Sequence, residues 1–570
     1  MFIRVKKNGA QEYLQLVSSE RIDGKVRQRV IGTLGRRDLL EQSNALDGLA
    51  ASLGKFARHT ALLTDHRAGN TRELARRILG PGLVFARLWE QLGVPQVLAE
   101  LLAGRKFAFP VERAIFLTVL HRLMAPASGT SDRAAEKWQA DHILPGVEDL
   151  ELQHLYRAMA WLGEELDKGQ QADATPFSPR CTKDLIEETL FARRRDLFTG
   201  LTLAFFDTTS LYFEGEGGQT LGQRGHSKDH RPDLKQMVVG VILSGEGRPV
   251  CSEMWPGNTT DVKTLLPVVR RLRKRFGITS VCIVSDRGMI SRETIAELED
   301  KHPDLKYILG ARLRADHEVR DQVLGWPGSY HEVHGARESG KDPSPLKVKD
   351  VRFTGKDGRD RRYVVCHNEE QARKDRKDRE AIVASLEDQL KRGDKALVGN
   401  KGYRKYIQSG GKHFGIDREK IKAEARLDGK WVLRTNWEGS AAEVALRYKE
   451  LWMVEAIFRT MKSVLETRPI YHQRDETIRG HVFCSFLALV LRKELQERLA
   501  ARGLDLEWAD VLGDLNALGV TTLRAGAAVC ELRSLPRGVA GQVLQAAGVA
   551  LGPPLRFLDE QAAAAWEGEV

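Results

Sequence analysis

The segment LTLAFFDTTS, residues 201–210, joins an apolar run to an aspartate and three small hydroxyl residues. Short β-rich runs bounded by turn residues are typical of buried strands. The segment therefore predicts an interior strand with Asp207 at its last residue. Such an Asp commonly caps a helix or forms a turn, but the carboxyl ends of strands in α/β folds also carry the chemistry.

A second segment repeats this pattern. VCIVSDRG, residues 281–288, is again an apolar run that ends in an aspartate, Asp286, followed by Arg287 and a glycine. Two strands with carboxylates at their ends predict a sheet edge where both side chains could converge.

The third segment is RYKELWMVEAIFRTMK, residues 447–462. Written as one helix, it predicts a stripe of residues about one turn apart, namely Tyr448, Trp452, Glu455, Arg459 and Lys462. An adjoining apolar stripe predicts the face that packs on a core, namely Val454, Ile457, Phe458 and Met461. The simpler interpretation is a surface helix with an ordinary Glu/Arg pair at i,i+4.

Three carboxylates, Asp207, Asp286 and Glu455, could thus converge. Hard divalent cations require such oxygen clusters, and Mg²⁺ binds through few carboxylates together with substrate phosphates.

These three residues resemble the acidic triad of bacterial insertion-sequence transposases of the DDE type, in an IS-four-like superfamily. The helix resembles the group's Tyr–Arg–Glu–Lys signature, because Tyr448 and Lys462 lie seven residues before and after the Glu. The expected Arg is Leu451 here, and Arg447 or Lys449 is a candidate replacement. The resemblance spans roughly residues 200 to 490 and implies an α/β fold: an RNase H-like mixed sheet with helices and a β-rich insertion before the Glu-bearing helix.

The resemblance also implies the site. Asp207, Asp286 and Glu455 would be both catalytic residues and ligands of two Mg²⁺ ions, with Mn²⁺ as a substitute and Asp207 as the bridging ligand. The residues expected to bind DNA are Tyr448, Trp452, Arg459, Lys462, Lys228 and Arg287. Tyr448 and Trp452 would stack on an unpaired or flipped base, and for both the alternative is packing.

Composition agrees with a polyanionic partner but does not prove one. The 570-residue chain has a net charge of +11 and a pI near 9.2, and residues 1–80 carry 15 Lys+Arg against 8 Asp+Glu.

Six scattered cysteines lack metal-ligand spacing and predict reduced, packed thiols. With no signal peptide or apolar run of membrane-spanning length, we expect a cytoplasmic, nucleoid-associated bacterial protein that does not contact membranes.

The pattern along the chain predicts six regions. The first is a three-stranded β meander with turns at Asn8-Gly9 and Asp23-Gly24. The regions are an N-terminal β meander (1–36), a helical DNA-binding region (37–198), the first part of the core (199–310), a β-rich insertion (311–430), the second part of the core (431–500) and a C-terminal helical region (501–570).

His226 and His230, four residues apart, suggest zinc. However, Gly225 and Pro232 argue against a helix there, and a third ligand is not evident in the sequence. A basic loop near bound DNA is the favoured interpretation.

The sequence therefore predicts a transposase that binds the terminal inverted repeats of its element, cleaves them and joins them to target DNA, as a homodimer in the DNA complex. One alternative is an RNase H-like nuclease without strand transfer. Another is a catalytically silent DNA-binding protein derived from a transposase.

Overall fold

The architecture comes from a computed structural model of the chain. It describes residues 1–22, 25–43, 45–54, 66–124, 131–171, 174, 178–194, 202–278, 280–333, 346–355, 357–392, 406–410, 413–525, 528–559 and 562–563. No helix within these ranges is long and apolar enough to cross a membrane.

The N-terminal strands form the predicted meander. β1 (Phe2–Asn8), β2 (Gln11–Ile22) and β3 (Lys25–Arg36) pair antiparallel in that order. Gly9 has a φ of 60° in the first turn, a conformation that glycine adopts readily. The predicted turn at Asp23-Gly24 lies outside the described residues. Two short helices follow, α1 (Arg37–Gln42) and α2 (Ala45–Gly54).

The next region is mostly helical, as predicted. After strand β4 (Thr71–Ile78), six helices follow one another: α3 (Gly80–Gln91), α4 (Val94–Leu102), α5 (Val111–Met124), α6 (Asp132–Trp138), α7 (Leu152–Leu162) and α8 (Thr182–Arg193). Helix α5 is central, because twelve of its residues are buried, including polar ones. The Ser131 hydroxyl accepts a hydrogen bond from the Ala134 backbone N–H at 3.1 Å and so caps the start of α6.

A mixed sheet forms the core, within the described residues. Its first five strands are β5 (Leu203–Tyr212), β6 (Gln236–Ser244), β7 (Pro249–Pro256), β8 (Cys282–Ser285) and β9 (Lys306–Gly310). Strands β5, β6 and β7 form an antiparallel meander, whereas β8 pairs parallel with both β5 and β9. The connecting helices are α9 (Leu265–Lys274) and α10 (Arg292–Lys301). The resulting order β9-β8-β5-β6-β7 is the predicted RNase H-like arrangement.

The predicted insertion continues this sheet. Its elements are β10 (His331–Val333), β11 (Leu346–Thr354), β12 (Asp360–His367), α11 (Glu369–Lys391), β13 (Ile407–Gly410), β14 (His413–Ile416) and α12 (Arg418–Ala425), and the core resumes with β15 (Lys430–Thr435). Strand β15 pairs antiparallel with both β9 and β12, so the described part of the sheet has nine strands. The insertion is thereby attached to the core by backbone hydrogen bonds.

The C-terminal region corrects a prediction. A helical tail was expected, but after helices α13 (Ala441–Lys449), α14 (Trp452–Ser463) and α15 (Asp475–Ala500) the chain alternates: α16 (Trp508–Ala517), β16 (Gly519–Ala525), β17 (Ala528–Arg533), α17 (Ala540–Ala547) and β18 (Leu555–Phe557). β4 pairs with β16 to form the sheet β18-β17-β16-β4. Because this pairing partner lies over 400 residues away in the chain, local composition could not indicate the strands.

A buried polar network joins the helical region to α15. The Arg122 guanidinium on α5 lies 3.3 Å from Asp132 Oδ1 and 2.8 Å from His481 Nδ1, and it donates to Ser485 Oγ at 3.0 Å. Arg122 is 1% exposed and Asp132 is 6% exposed. Breaking a buried ion pair on one side leaves an uncompensated charge in the interior.

We expect Arg122→Ala to lower the free energy of unfolding by about 3–5 kcal/mol, because the Asp132 carboxylate would lose its guanidinium partner. Urea unfolding followed by circular dichroism measures this change. Arg133→Ala removes an exposed arginine from the adjacent helix and should change stability by less than about 0.5 kcal/mol. Equal urea midpoints for the two variants would show that the Arg122 network does not stabilise the fold.

Candidate active site

Asp207 and Asp286 lie next to each other, each directly after the paired residues of two neighbouring strands. β5 and β8 are parallel, and their pairing aligns Phe206 with Ser285, the residues immediately before the two aspartates. The Ser285 hydroxyl donates to the Phe206 carbonyl at 2.8 Å, which reinforces this register. Asp207 was predicted to be the last residue of its strand, but β5 continues to Tyr212. Asp207 instead follows the last residue of β5 that pairs with β8.

The Asp207 carboxylate is largely buried. Its Oδ1 accepts a hydrogen bond from the Thr208 backbone N–H at 2.7 Å and lies 3.9 Å from Lys228 Nζ. Burial raises the pKa of Asp207 to about 6, the neighbouring Asp286 and Asp261 add to this rise, and Lys228 opposes it. Asp207 is therefore a carboxyl group for which a cation is a favourable partner near neutral pH.

Asp286 is held by a tyrosine. The Tyr448 hydroxyl donates to Asp286 Oδ1 at 2.8 Å, and burial together with this carboxylate raises the pKa of the Tyr448 phenol. Gly310 on β9 makes room for it, because a Cβ at Gly310 would lie 2.6 Å from the Tyr448 hydroxyl. Tyr448 thus has a partner in the protein and is not on an exposed stripe.

The single helix predicted over residues 447–462 is wrong. The structure has two helices, α13 and α14, separated at Glu450 and Leu451. The break consists of i→i−3 hydrogen bonds, in which Leu451 N donates to the Tyr448 carbonyl and Val454 N to the Leu451 carbonyl. A turn of this tighter kind shifts the side chains that follow it around the axis. Tyr448 consequently lies on a different helix from Glu455.

Helix α14 carries Glu455 and packs against β5 and β6. Its apolar face is buried as predicted, since Val454 and Met461 are 0% exposed and Phe458 is 6% exposed. Glu455 and Arg459 are exposed on the other side, and Trp452 is 58% exposed at the start of the helix. The helix therefore buries its apolar face against the sheet and leaves both Glu455 and Trp452 exposed.

Lys462 has a partner that the sequence did not suggest. Its Nζ lies 2.8 Å from Asp229 Oδ1, and the Asp229 side chain is only 5% exposed. Arg468 Nε lies 3.5 Å from the other Asp229 oxygen. Lys462 thus attaches the loop between β5 and β6 to the Glu455 helix, and in this arrangement it is not available to a phosphate.

The structure also shows the surroundings of Leu451, which stands where the signature has an arginine, and of its two candidate replacements. Leu451 is 6% exposed and faces the core, where an arginine would be buried. Of the candidate replacements, the Arg447 guanidinium lies 5.7 Å from the centre of the Trp437 ring, and Lys449 is exposed on α13. Arg287, which follows Asp286, is exposed.

The zinc alternative has no geometric support. His226 and His230 are exposed and belong to no group of three metal-ligand side chains within the described residues. In those residues, one such group has ligand atoms within 4.8 Å of one another, namely Asp132, His472 and His481. The Arg122 guanidinium contacts Asp132 and His481, so a protein cation already occupies that group.

Sequence reasoning missed Asp261. It begins the short helix Asp261–Lys263 after β7, and its Oδ1 accepts a hydrogen bond from the Thr208 hydroxyl at 2.6 Å. Its Oδ2 lies 3.3 Å from Lys228 Nζ. The sequence signal was weak, because Asp261 lies five residues beyond the end of β7, whereas Asp286 directly follows its strand.

Comparisons with known proteins give two family matches and a structural likeness. A family model described as a transposase DDE domain matches residues 199–491, and one described as the N-terminal domain of IS1634 family transposases matches residues 3–63. No curated protein matches the chain. A solved structure, a piggyBac transposase synaptic complex with hairpin DNA, has 11% sequence identity and a TM-score of 0.35, and the match covers 78% of this chain and 81% of that chain.

The RNase H-like sheet and the domain match together define a DDE transposase, because the matched domain spans about half of the chain. With its N-terminal domain, the chain belongs to the IS1634 family of these transposases. Its function is DNA transposition, which involves DNA binding, cleavage and strand transfer. DDE transposases generally use divalent metal ions.

The pairing of Lys462 with Asp229 can be tested by a double-mutant cycle. Lys462→Ala, Asp229→Ala and the double variant should show a coupling free energy of about 1–3 kcal/mol in urea unfolding, because both side chains are largely buried. Arg231→Ala with Asp233→Ala, an exposed pair in the same loop, is the matched control and should couple by less than about 1 kcal/mol. Coupling near zero for Lys462 and Asp229 would leave Lys462 available to DNA.

Proposed function

We propose that Asp207, Asp286 and Glu455 are the catalytic carboxylates of this transposase. The observation that carries the proposal is the β5–β8 register, which aligns the residues just before the two aspartates on adjacent parallel strands. Helix α14, which carries Glu455, packs against β5, the strand of Asp207, and this contact supports including Glu455 in the set. Together they support DNA cleavage and strand transfer at the ends of the element.

The donor set suits a hard divalent cation, which we propose to be Mg²⁺, bound as two ions, with Mn²⁺ as a substitute. All three ligands offer carboxylate oxygens, and Asp207 is a largely buried carboxylate whose nearest ammonium group is 3.9 Å away. The ligand atoms of the three residues do not all lie within 4.8 Å of one another. Binding of one cation by all three would therefore need a change of side-chain position, for which the exposed Glu455 is free.

Each residue has a distinct part in the chemistry. Bound divalent ions would activate the attacking oxygen and stabilise the leaving oxygen of the phosphodiester. Asp207 would contribute to both ion sites, while Asp286 and Glu455 would each complete one. Tyr448 orients Asp286 through its 2.8 Å hydrogen bond, which leaves the second carboxylate oxygen of Asp286 available.

We propose that the DNA contacts come from the exposed residues around this centre. Trp452 offers an indole ring for stacking on a base, and Arg459 and Arg287 offer guanidinium groups to phosphates. Lys228, 30% exposed, lies beside Asp207 where a scissile phosphate would approach. Tyr448 and Lys462, first expected to bind DNA, are better explained as supports for Asp286 and for the loop that contains Asp229.

The same proposal includes the wider assembly. We propose that the chain acts on the terminal inverted repeats and on target DNA as a homodimer, within an IS-four-like superfamily. The meander of residues 1–36 and the helical region of residues 37–198 are the proposed sources of end binding. Exposed Arg27 and Arg29 on β3 support a DNA contact for the meander.

We expect Asp207→Asn, Asp286→Asn and Glu455→Gln each to lower DNA cleavage below detection, while binding to the ends of the element remains. Each change removes a carboxylate charge and preserves the side-chain volume. Cleavage of labelled DNA and a parallel binding assay measure the two activities separately. Asp233→Asn, at an exposed aspartate paired with Arg231, should cleave normally. Wild-type cleavage by any of the three variants would exclude that residue from the catalytic set.

Cation binding should depend on pH in one direction. Because the pKa of Asp207 is raised to about 6, its carboxylate is ionised above that pH and takes up a proton as the pH falls through it. We expect Mn²⁺ affinity, measured by electron paramagnetic resonance, to be nearly constant above pH 6 and to fall by about tenfold per pH unit below it. Equal affinities at pH 5 and pH 7 would contradict a cation site at Asp207.

A further inference from the structure

We propose that Asp261 is a positioning residue of the active site, which balances the charge of Lys228 and thereby keeps Asp207 free to bind a cation. The proposal rests on the proposed role of Asp207 as a metal ligand. It concerns a carboxylate outside the triad, on the short helix that follows β7.

Asp261 contacts the segments that carry both aspartates. Its Oδ1 accepts from the hydroxyl of Thr208, the residue after Asp207, at 2.6 Å. On the other side, a Cβ placed on Gly288, two residues after Asp286, would lie 3.0 Å from Asp261 Oδ2. A single side chain thus touches the end of the β5–β8 pairing and the turn that follows β8.

Lys228 completes a closed triangle with Thr208 and Asp261. Its Nζ donates to the Thr208 carbonyl at 2.7 Å and contacts the Thr208 hydroxyl at 2.9 Å, while Asp261 Oδ2 lies 3.3 Å away. The loop that carries Lys228 is held from the opposite side, because the next residue, Asp229, pairs with Lys462. The ammonium group is therefore fixed beside Asp207 by contacts that do not involve Asp207.

Both oxygens of Asp261 are engaged, one by the Thr208 hydroxyl and the other by the Lys228 ammonium group. In this arrangement each oxygen of Asp261 already has a protein partner, which suits Asp261 to a supporting role. Asp207 differs, since its only ion pair in the described structure is the longer contact of 3.9 Å with Lys228. Because Lys228 Nζ lies closer to Asp261, at 3.3 Å, than to Asp207, its main ion-pair partner is Asp261.

The consequence is a balance of charge. With Asp261 ionised, the Lys228 ammonium is neutralised at 3.3 Å and competes weakly for Asp207. Without that charge, Asp207 would be the one remaining carboxylate within 4.0 Å of Lys228 in the described part of the chain. The ammonium would then occupy Asp207 in place of a divalent ion.

Mn²⁺ binding to the full-length, DNA-free protein tests this inference by electron paramagnetic resonance. Asp261→Asn keeps an acceptor for the Thr208 hydroxyl and removes only the charge. We expect it to weaken Mn²⁺ binding by about 10- to 100-fold, the range typical of residues that support metal ligands. Unchanged binding would overturn the proposal.

The double variant Asp261→Asn/Lys228→Met gives the decisive comparison. With the ammonium group also removed, Mn²⁺ affinity should return to that of Lys228→Met alone. If the double variant binds Mn²⁺ as weakly as Asp261→Asn, the charge-balance role is wrong, because loss of a direct ligand or damage to the fold would not be rescued. Thermal unfolding of all variants without metal identifies fold damage independently.

Two further variants separate this inference from the proposed function. Asp207→Asn should abolish Mn²⁺ binding, and if it does not, the metal site itself is misplaced whatever Asp261 does. Asp233→Asn removes an exposed carboxylate of the same loop as Lys228 and should leave Mn²⁺ affinity unchanged. If Asp233→Asn weakens Mn²⁺ binding as much as Asp261→Asn does, any nearby carboxylate has the same effect. That result would overturn the specific role of Asp261.

Discussion

The parallel pairing of β5 with β8 is the constraint on which the rest of the site depends. Alignment of Phe206 with Ser285 brings Asp207 and Asp286 to adjacent positions, where a slip of one residue would turn one of them to the other face of the sheet. Burial of two carboxylates close together is unfavourable, and it raises the pKa of Asp207 to about 6. A site of this kind is stable only with partners around it, which in the described structure are protein groups and in the proposed mechanism are cations.

Those protein groups come from different parts of the chain. Tyr448 reaches Asp286 from α13, and Lys228 reaches Asp207 from the loop before β6. The same loop is attached to the Glu455 helix by Lys462. The loop that carries Lys228 and Asp229 thus contacts both Asp207 and the Glu455 helix, and so links two members of the proposed site. Away from the proposed site, another buried polar contact joins two helices, because Arg122 on α5 donates a hydrogen bond to Ser485 on α15.

Much of this could be predicted because the signals were local. The apolar runs that end at Asp207 and Asp286 formed strands, and the apolar stripe that includes Val454 and Met461 was buried. Predictions failed where contacts with residues distant in the chain decide the secondary structure. The tail beyond residue 500 contributes strands because β4 is available for pairing. The helix broke at Leu451 because this side chain, at 6% exposure, turns into the core through a tighter turn.

By itself the sequence determined the class of fold and the family, because strand runs, helix periodicity and residue spacing are encoded over short stretches, and it supplied the three carboxylates of the proposed site. Only the tertiary structure decided which charges are free and which are paired. Lys462 and Trp452 share one helix, yet Lys462 is paired with Asp229 and Trp452 is 58% exposed. The role proposed for Asp261 likewise depends on contacts that only the tertiary structure shows, with Thr208 and Lys228. An ion pair depends on atoms within about 4 Å, and no spacing in the chain specifies which distant residue will supply them.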